Sequence, residues 1–221
     1  MLSDTEHSST PLENVNPDSK EYIVLKSYYK AAIRAVESKL SIMNEEHYLA
    51  RGRKPIQMIT SRIKKQQSVI DKMKRHGYPL TAEAAITKLN DIAGVRAICP
   101  FGYDVYHLAE ELLKHEDITL LHKKDFIANP KASGYRSLHL IISVPIYLSA
   151  GKRDVKVEVQ LRTISMDFWA SIEHELRYKQ SITFPPELEA EILQCAQISS
   201  ELDERMGNLH RNLARYIESH T

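Results

Sequence analysis

The segment Lys156–Arg162, KVEVQLR, sets Glu158 and Gln160 on one side of an alternating pattern, with Val155, Val157, Val159 and Leu161 on the other. Strand side chains repeat every two residues, so this segment has one face fit for a core and one for a ligand. Glu158 is then a carboxylate on the open face of a sheet, flanked by Lys156 and Arg162. Alone it is an ordinary acid, because half-buried strands carry polar outer faces. Its neighbour gives it chemistry. In GYRSLHLIISVPIYL, Ser137, His139, Ile141 and Ser143 alternate with Leu138, Leu140, Ile142 and Val144. A turn at Gly151-Lys152-Arg153-Asp154 would join the two runs as a hairpin. The polar faces then meet, bringing Tyr135, Ser137 and His139 toward Lys156, Glu158 and Gln160. A ring for stacking, donors for phosphate and an acid for proton or metal work are what a purine nucleotide needs.

A second acid is placed for the same chemistry. Asp91-Ile92-Ala93-Gly94 follows a short helix predicted from Thr81 to about Asn90 and precedes the buried strand VRAIC. The small residues leave a ligand room beside Asp91. It fits either a solvated loop acid or a metal ligand. Asp91 and Glu158 together suit Mg2+, a hard ion held by one or two carboxylates plus substrate phosphates. There is no Walker loop and no G-x-G-x-x-G, so phosphates must be held by side chains. Between Arg51 and Arg75 nine basic residues face one acid, Asp71. The run fits a solvated helix face or a polyanion site. Pure nucleic-acid binding lacks support, since there is no aromatic-rich RNA-binding signature and the pI is about 7.8.

The elements that must position these groups are readable. Residues 1–19 are polar and expected to be disordered. From Lys20 to Tyr48, Tyr22, Leu25, Tyr29, Ala32, Ile33, Val36, Leu40 and Met43 recur at three- and four-residue spacing, predicting an amphipathic helix on the sheet. Ser68 and Asp71 read as a capping pair opening a helix that Gly77 stops, with Arg62 and Lys64 ahead of it and Lys72 and Arg75 within it. A helix is expected over Tyr103–His115, a strand over Ile118–Phe126 and a loop over 129–134. In the C-terminal helix, Leu188, Ile192, Cys195, Ser199, Leu202, Met206, Leu209, Leu213 and Tyr216 approach a heptad seam, which either packs at home or meets another chain.

With 221 residues and 43% apolar composition, the chain can bury a sizeable core. No apolar run spans a bilayer and no secretory leader is evident, so a cytoplasmic protein without a membrane partner is expected. Cys99 and Cys195 read as reduced, packed thiols, and ten scattered histidines form no zinc motif.

These pieces resemble a known family. SRIK at 61–64, DIAGVR at 91–96, NPKASGYRSLH at 129–139, VEVQLRT at 157–163, MDFWASIEHELRYK at 166–179 and ILQCAQISSELDERM at 192–206 are similar to the synthetase domain of RelA/SpoT proteins, in its stand-alone small alarmone synthetases of RelQ type. The resemblance implies an α+β fold, a mixed central sheet of nucleotidyltransferase-like kind flanked by helices, with long terminal helices. It implies a synthetase domain over 20–180 and an oligomerising helix over 181–221. The implied reaction moves pyrophosphate from ATP to the 3′ hydroxyl of GDP or GTP, with Mg2+. Arg62 and Arg96 would sandwich adenine, and Lys64, Lys72 and Arg75 would hold ATP phosphates. Asp91 would bind metal, and Glu158 would contact it and activate the hydroxyl. Tyr135 would stack on guanine, with Lys131, His139 and Gln160 on the acceptor side. Asp167 stands where many relatives carry Asn; a carboxylate accepts but cannot donate, so its guanine role is open.

The same resemblance implies a homotetramer, with the product (p)ppGpp and single-stranded RNA as allosteric ligands. Full-length relatives add a metal-dependent hydrolase domain whose motifs are lacking here, so synthesis alone is expected. A transfer-RNA 3′-end pyrophosphokinase of the same fold, and a non-catalytic nucleotide or RNA-binding regulator, are the alternatives. A Ser137–His139–Glu158 hydrolytic triad is disfavoured, because no nucleophile-elbow glycines surround Ser137.

Overall fold

The strands are β1 (Met58–Ile63), β2 (Ala93–Cys99), β3 (Thr119–Asp125), β4 (Leu138–Leu148) and β5 (Gly151–Thr163), and the helices are α1 (Lys20–Arg51), α2 (Gln66–Arg75), α3 (Ala82–Lys88), α4 (Gly102–Leu112), α5 (Ile164–Tyr178) and α6 (Pro186–Glu218). This computed structural model describes residues 20–149, 151–178 and 185–220. The tail expected at 1–19 and the boundary expected at 180/181 lie outside the described residues.

The sheet runs β1-β2-β5-β4-β3 and is mixed. β2 pairs parallel with β5, whereas the β1–β2, β3–β4 and β4–β5 pairs are antiparallel. Register sorts the side chains into two faces. Gly94 lies opposite Glu158 and Arg96 opposite Gln160; His139 lies opposite Gln160 and Ile141 opposite Glu158; Arg62 lies opposite Gly94. The alternate residues Val95, Ala97, Leu138, Leu140, Ile142, Val157, Val159 and Leu161 form the other face, each 1% exposed or less. One face is therefore core, and the other carries the chemistry.

Helix α1 covers the core face with Tyr29, Ala32, Ile33, Val36, Leu40 and Met43, the stripe its spacing predicts. Helix α4 joins the same cluster through Val105, Leu108, Ala109 and Leu112. Full burial of a side chain such as Leu40 contributes roughly 1.5–3 kcal/mol, so this face dominates the fold's stability. Thr81 caps α3, its side chain accepting from the Ala84 amide at 3.2 Å. A separate cluster of Trp169, Ala170, Ile192 and Ala196 joins α5 to α6, with Tyr135 packed against it.

Several details depart from expectation. β1 carries Thr60, Ser61 and Arg62 on an edge with little apolar alternation, which is why a strand is not legible inside the basic run. Helix α2 begins at Gln66 after Lys65, with no side-chain cap; Asp71 instead accepts from Gln67 Nε2 at 2.8 Å. Leu148 pairs with Gly151 and Pro145 with Asp154, so the reversal precedes Gly151 rather than occupying 151–154. Ser137 lies beneath the polar wall, where Arg162 Nε donates to its hydroxyl at 3.4 Å. It is fully buried, and its hydroxyl donates to the Leu161 carbonyl at 3.3 Å. On α6, Ile192 faces inward as its place in the seam predicts, whereas Ala196 and Gly207 take the inner positions one step beyond Cys195 and Met206. Cys195 is thus exposed rather than packed, while Cys99 is buried.

Candidate active site

Asp91 sits where α3 gives way to β2, and two lysines converge on it from other elements. Lys64 Nζ, just past β1, donates to Asp91 Oδ2, and Lys72 Nζ from α2 donates to the same oxygen at 2.8 Å. The other oxygen, Oδ1, is buried and has no hydrogen-bond partner among the described residues. Burial opposes ionisation of this carboxyl, but the hydrogen bonds and charges of Lys64 and Lys72 outweigh it and hold the group below its usual range. An ionised, buried oxygen without a donor is what a metal ligand presents before the metal arrives. Lys156 supports the junction from β5: its Nζ donates to the Thr87 carbonyl at 2.7 Å and to Asn90 Oδ1 at 3.2 Å.

Glu158 occupies the middle of the polar face. Its Oε1 is 3.1 Å from His139 Nδ1, and its Oε2 accepts from Gln160 Nε2 at 2.9 Å. Burial pushes this carboxyl up and the Asp91 charge adds to that, yet His139 and Gln160 prevail and the net shift is downward. The partners assign the tautomer of His139. An ionised Glu158 only accepts, so Nδ1 carries the proton. In the neutral ring, His139 Nε2 then accepts from the Tyr135 hydroxyl, 2.8 Å away.

Arg162 completes the polar wall. This buried guanidinium donates to the Tyr135 hydroxyl at 2.6 Å and to Gln160 Oε1 at 3.2 Å, and its carbon lies 5.0 Å from the Tyr135 ring centre. Lys131 Nζ lies 4.7 Å from the same ring and 4.8 Å from Phe126. Phe126 meets His139 edge-on, with ring centres 5.3 Å apart. One tyrosine ring is thereby held by two cations, a histidine and a phenylalanine.

Arg96, on β2, donates to Asp167 Oδ1 at 3.1 Å, an oxygen shared with Arg162 Nη1 at 3.2 Å. Burial and the neighbouring Arg162 push Arg96 below the usual guanidinium range. Arg62 is exposed on β1, its Cγ 3.8 Å from where a Cβ on Gly94 would stand. Arg75 is exposed in the last turn of α2, one turn beyond Lys72.

Asp91, Lys64 and Lys72 thus form one cluster, while Glu158, Gln160, His139, Tyr135, Lys131, Arg96 and Asp167 share a continuous wall; Arg62, beside Gly94, and Arg75, at the end of α2, make no hydrogen bond to either among the described residues. Sequence reasoning left Arg162 and Phe126 out of the site. Arg162 was detectable, because it continues the Glu158–Gln160 alternation. Phe126 was not, since it follows the end of an exposed edge strand and gains its place only through Tyr135 and His139.

Residues 61–183 match the family described as a region found in RelA / SpoT proteins. The chain is 42% identical over 202 residues to the GTP pyrophosphokinase YwaC of Bacillus subtilis, covering 91% of this chain and 95% of that one. It is 34% identical over 192 residues to the GTP pyrophosphokinase YjbM of the same organism, covering 87% and 90%. Among solved structures, the small alarmone synthetase 1 from Bacillus subtilis bound to its product pppGpp superposes with a TM-score of 0.80 at 32% identity, covering 88% of this chain and 98% of that one. Matched segment, covered relatives and shared fold agree: the chain belongs to the RelA/SpoT family.

Proposed function

We infer that the chain is a GTP pyrophosphokinase that moves the terminal pyrophosphate of ATP onto the ribose 3′ oxygen of GDP or GTP. The products are guanosine tetra- or pentaphosphate and AMP. The observation that carries this reading is Glu158, an ionised carboxylate lying between the lysine-clamped Asp91 and the aromatic wall around Tyr135. The covering relatives named GTP pyrophosphokinase support it.

In this reading Tyr135 stacks on guanine, and Arg162 and Lys131 hold the ring in place. Lys131, His139 and Gln160 line the acceptor. Arg62 and Arg96 take the adenine, as planar guanidiniums suit a π face. Lys64, Lys72 and Arg75 hold ATP phosphates. Glu158 takes the 3′ hydroxyl proton as the new bond forms from O3′ to the β-phosphorus. The bond from that phosphorus to the α–β bridging oxygen breaks, and AMP keeps the oxygen. His139 keeps its proton on Nδ1 and so holds Glu158 ionised and aimed. Asp91, with its donor-free oxygen, and Glu158 would hold Mg2+, which supplies positive charge against the phosphates. Transfer of this kind rests on positioning and charge stabilisation, so cations are many and no covalent nucleophile is needed.

We assign this chemistry to residues 20–180 in the cytoplasm, with 181–221 as an assembly element in a homotetramer. Leu202, Met206, Leu209, Leu213 and Tyr216 support the assembly, being 51–61% exposed along α6. The deciding experiment is incubation with Mg2+, labelled ATP and GDP or GTP, beside Glu158→Gln. Wild type should yield alarmone and AMP, and the variant should lose about 10²–10⁴-fold in kcat while still binding both nucleotides. Nucleotide binding without product from wild type would move the reading to a macromolecular acceptor or a sensor.

A further inference from the structure

On the opposite side of the sheet from Glu158, the fold brings together three groups that lie far apart in the chain. His47 comes from the C-terminal part of α1, and His107 and Glu111 stand one turn apart on α4. His47 Nε2 is 2.7 Å from Glu111 Oε2, and His107 Nε2 is 3.1 Å from Glu111 Oε1. The two imidazoles meet edge to face with centres 5.5 Å apart. One donor atom from each of the three lies within 4.8 Å of the others.

We propose that His47, His107 and Glu111 bind one borderline divalent transition-metal ion of the zinc class, clipping the end of α1 to α4. The spacing is close to what such an ion needs. Tetrahedral ligands with metal bonds of about 2.0–2.2 Å stand roughly 3.3–3.6 Å apart, so small rotamer changes would close the set. His107 Nε2 is the sharper signal. It is buried, yet it has no hydrogen-bond partner among the described residues, because its approach to Glu111 lacks hydrogen-bond geometry. A buried ring nitrogen costs free energy unless something accepts its lone pair or its proton, and a metal does so here. The His107 side chain as a whole is 44% exposed, so the cluster lies just beneath the surface.

Two imidazoles and one carboxylate select Zn2+, Co2+ or Ni2+ over Mg2+, which prefers an all-oxygen shell. This ion is therefore separate from the one proposed at Asp91 and Glu158. Its place suggests its effect. The chain leaving α1 runs through Arg53, which grips Asp104 of α4 with two hydrogen bonds of 2.6 and 2.8 Å, and then enters β1, which carries Arg62. A clip at His47 fixes the start of that segment. No spacing motif announces it, because its members come from two helices.

The test uses full-length protein titrated with Co2+, whose visible bands report bound nitrogen and oxygen ligands. We expect one equivalent per chain, displaced by Zn2+ and not by excess Mg2+. In His107→Ala the affinity should fall at least about tenfold, and Zn2+ should raise the Tm of wild type and not of the variant. In Asp91→Asn the bands should persist, which separates this site from the nucleotide site. Equal Co2+ affinity in wild type and His107→Ala, or bands lost in Asp91→Asn, would overturn the proposal.

Discussion

Asp167 holds Arg96 through a single oxygen, 3.1 Å from Arg96 Nη1, and lends the same oxygen to Arg162 at 3.2 Å. The carboxylate thus joins the arginine proposed to stack on adenine to the one that braces Tyr135. Arg96 must leave or share this pair to lie flat on a base. Replacing Asp167 with Asn removes the charge that holds it, and pairs that keep some contact with solvent contribute about 0.5–1 kcal/mol. We expect Asp167→Asn to lower KM for ATP by roughly two- to fivefold with kcat within a factor of about three. Steady-state kinetics varying ATP at saturating GDP measures it. A raised KM for GDP with no change for ATP would instead place Asp167 on guanine.

The carboxyls at positions 158 and 91 are both held below their ordinary values of 4.5 and 3.8. A group whose folded pKa is depressed adds stability above its unfolded pKa and loses it as pH falls through the folded one. Both therefore stabilise the fold at neutral pH, and the acid limb of kcat/KM that they set lies below about pH 4.5. His139→Ala removes the hydrogen bond that lowers Glu158 and leaves burial and the Asp91 charge, both of which raise it. The acid limb should then move to higher pH. Superposable limbs for wild type and His139→Ala would exclude His139 as the group that keeps Glu158 ionised.

How much of this was legible from residues alone follows from the range of the interactions. The polar wall was readable because strand periodicity is local: Glu158, Gln160 and His139 alternate with valines and leucines whatever the topology. The Asp91 junction was readable because Thr81 starts a helix and Gly94 follows the acid. The lysine clamp was not, since Lys64 and Lys72 reach Asp91 only once β1 pairs with β2, and β1 is a polar edge strand with a weak pattern. Arg162 reads from the sequence as a flank of Glu158 and not as a hub, because its partners Tyr135, Gln160 and Asp167 come from three separate segments. On α6 the spacing predicts Ile192 on the inner face, but beyond it the small residues Ala196 and Gly207 face inward, where the pattern predicts larger apolar ones.

Those larger residues make a separate prediction. Leu209 is 60% exposed and Leu213 54%, one turn apart on a helix whose inner face is already occupied. Burying them against another copy supplies the apolar area that assembly needs. Light scattering of wild type should give four chains, and Leu209→Glu with Leu213→Glu should give a smaller species with an unchanged far-ultraviolet spectrum. A wild-type mass near one chain removes the tetramer.

Helix α6 also reaches the loop ahead of Tyr135 directly, at Gly134. This glycine has φ +87°, a conformation that costs other residues about 1–2 kcal/mol. A Cβ there would fall inside contact distance of Ala196 Cβ and 3.3 Å from Leu193 Cδ1. The next residue is Tyr135, and the Gly134 amide donates to the Lys131 carbonyl at 2.8 Å, so the loop carrying both proposed acceptor contacts is seated on the tail helix. Gly134→Ala adds strain and overpacking of roughly 2–3 kcal/mol, lowering Tm by about 5–10 °C. Because Tyr135 moves with the loop, KM for GDP or GTP should rise several-fold while KM for ATP stays near wild type. Ala196→Gly in the Gly134→Ala background relieves the clash and leaves the φ strain, so it should recover only part of both losses. Equal rises in the two KM values would mean that the substitution loosens the whole domain, and that α6 does not position the guanine wall in particular.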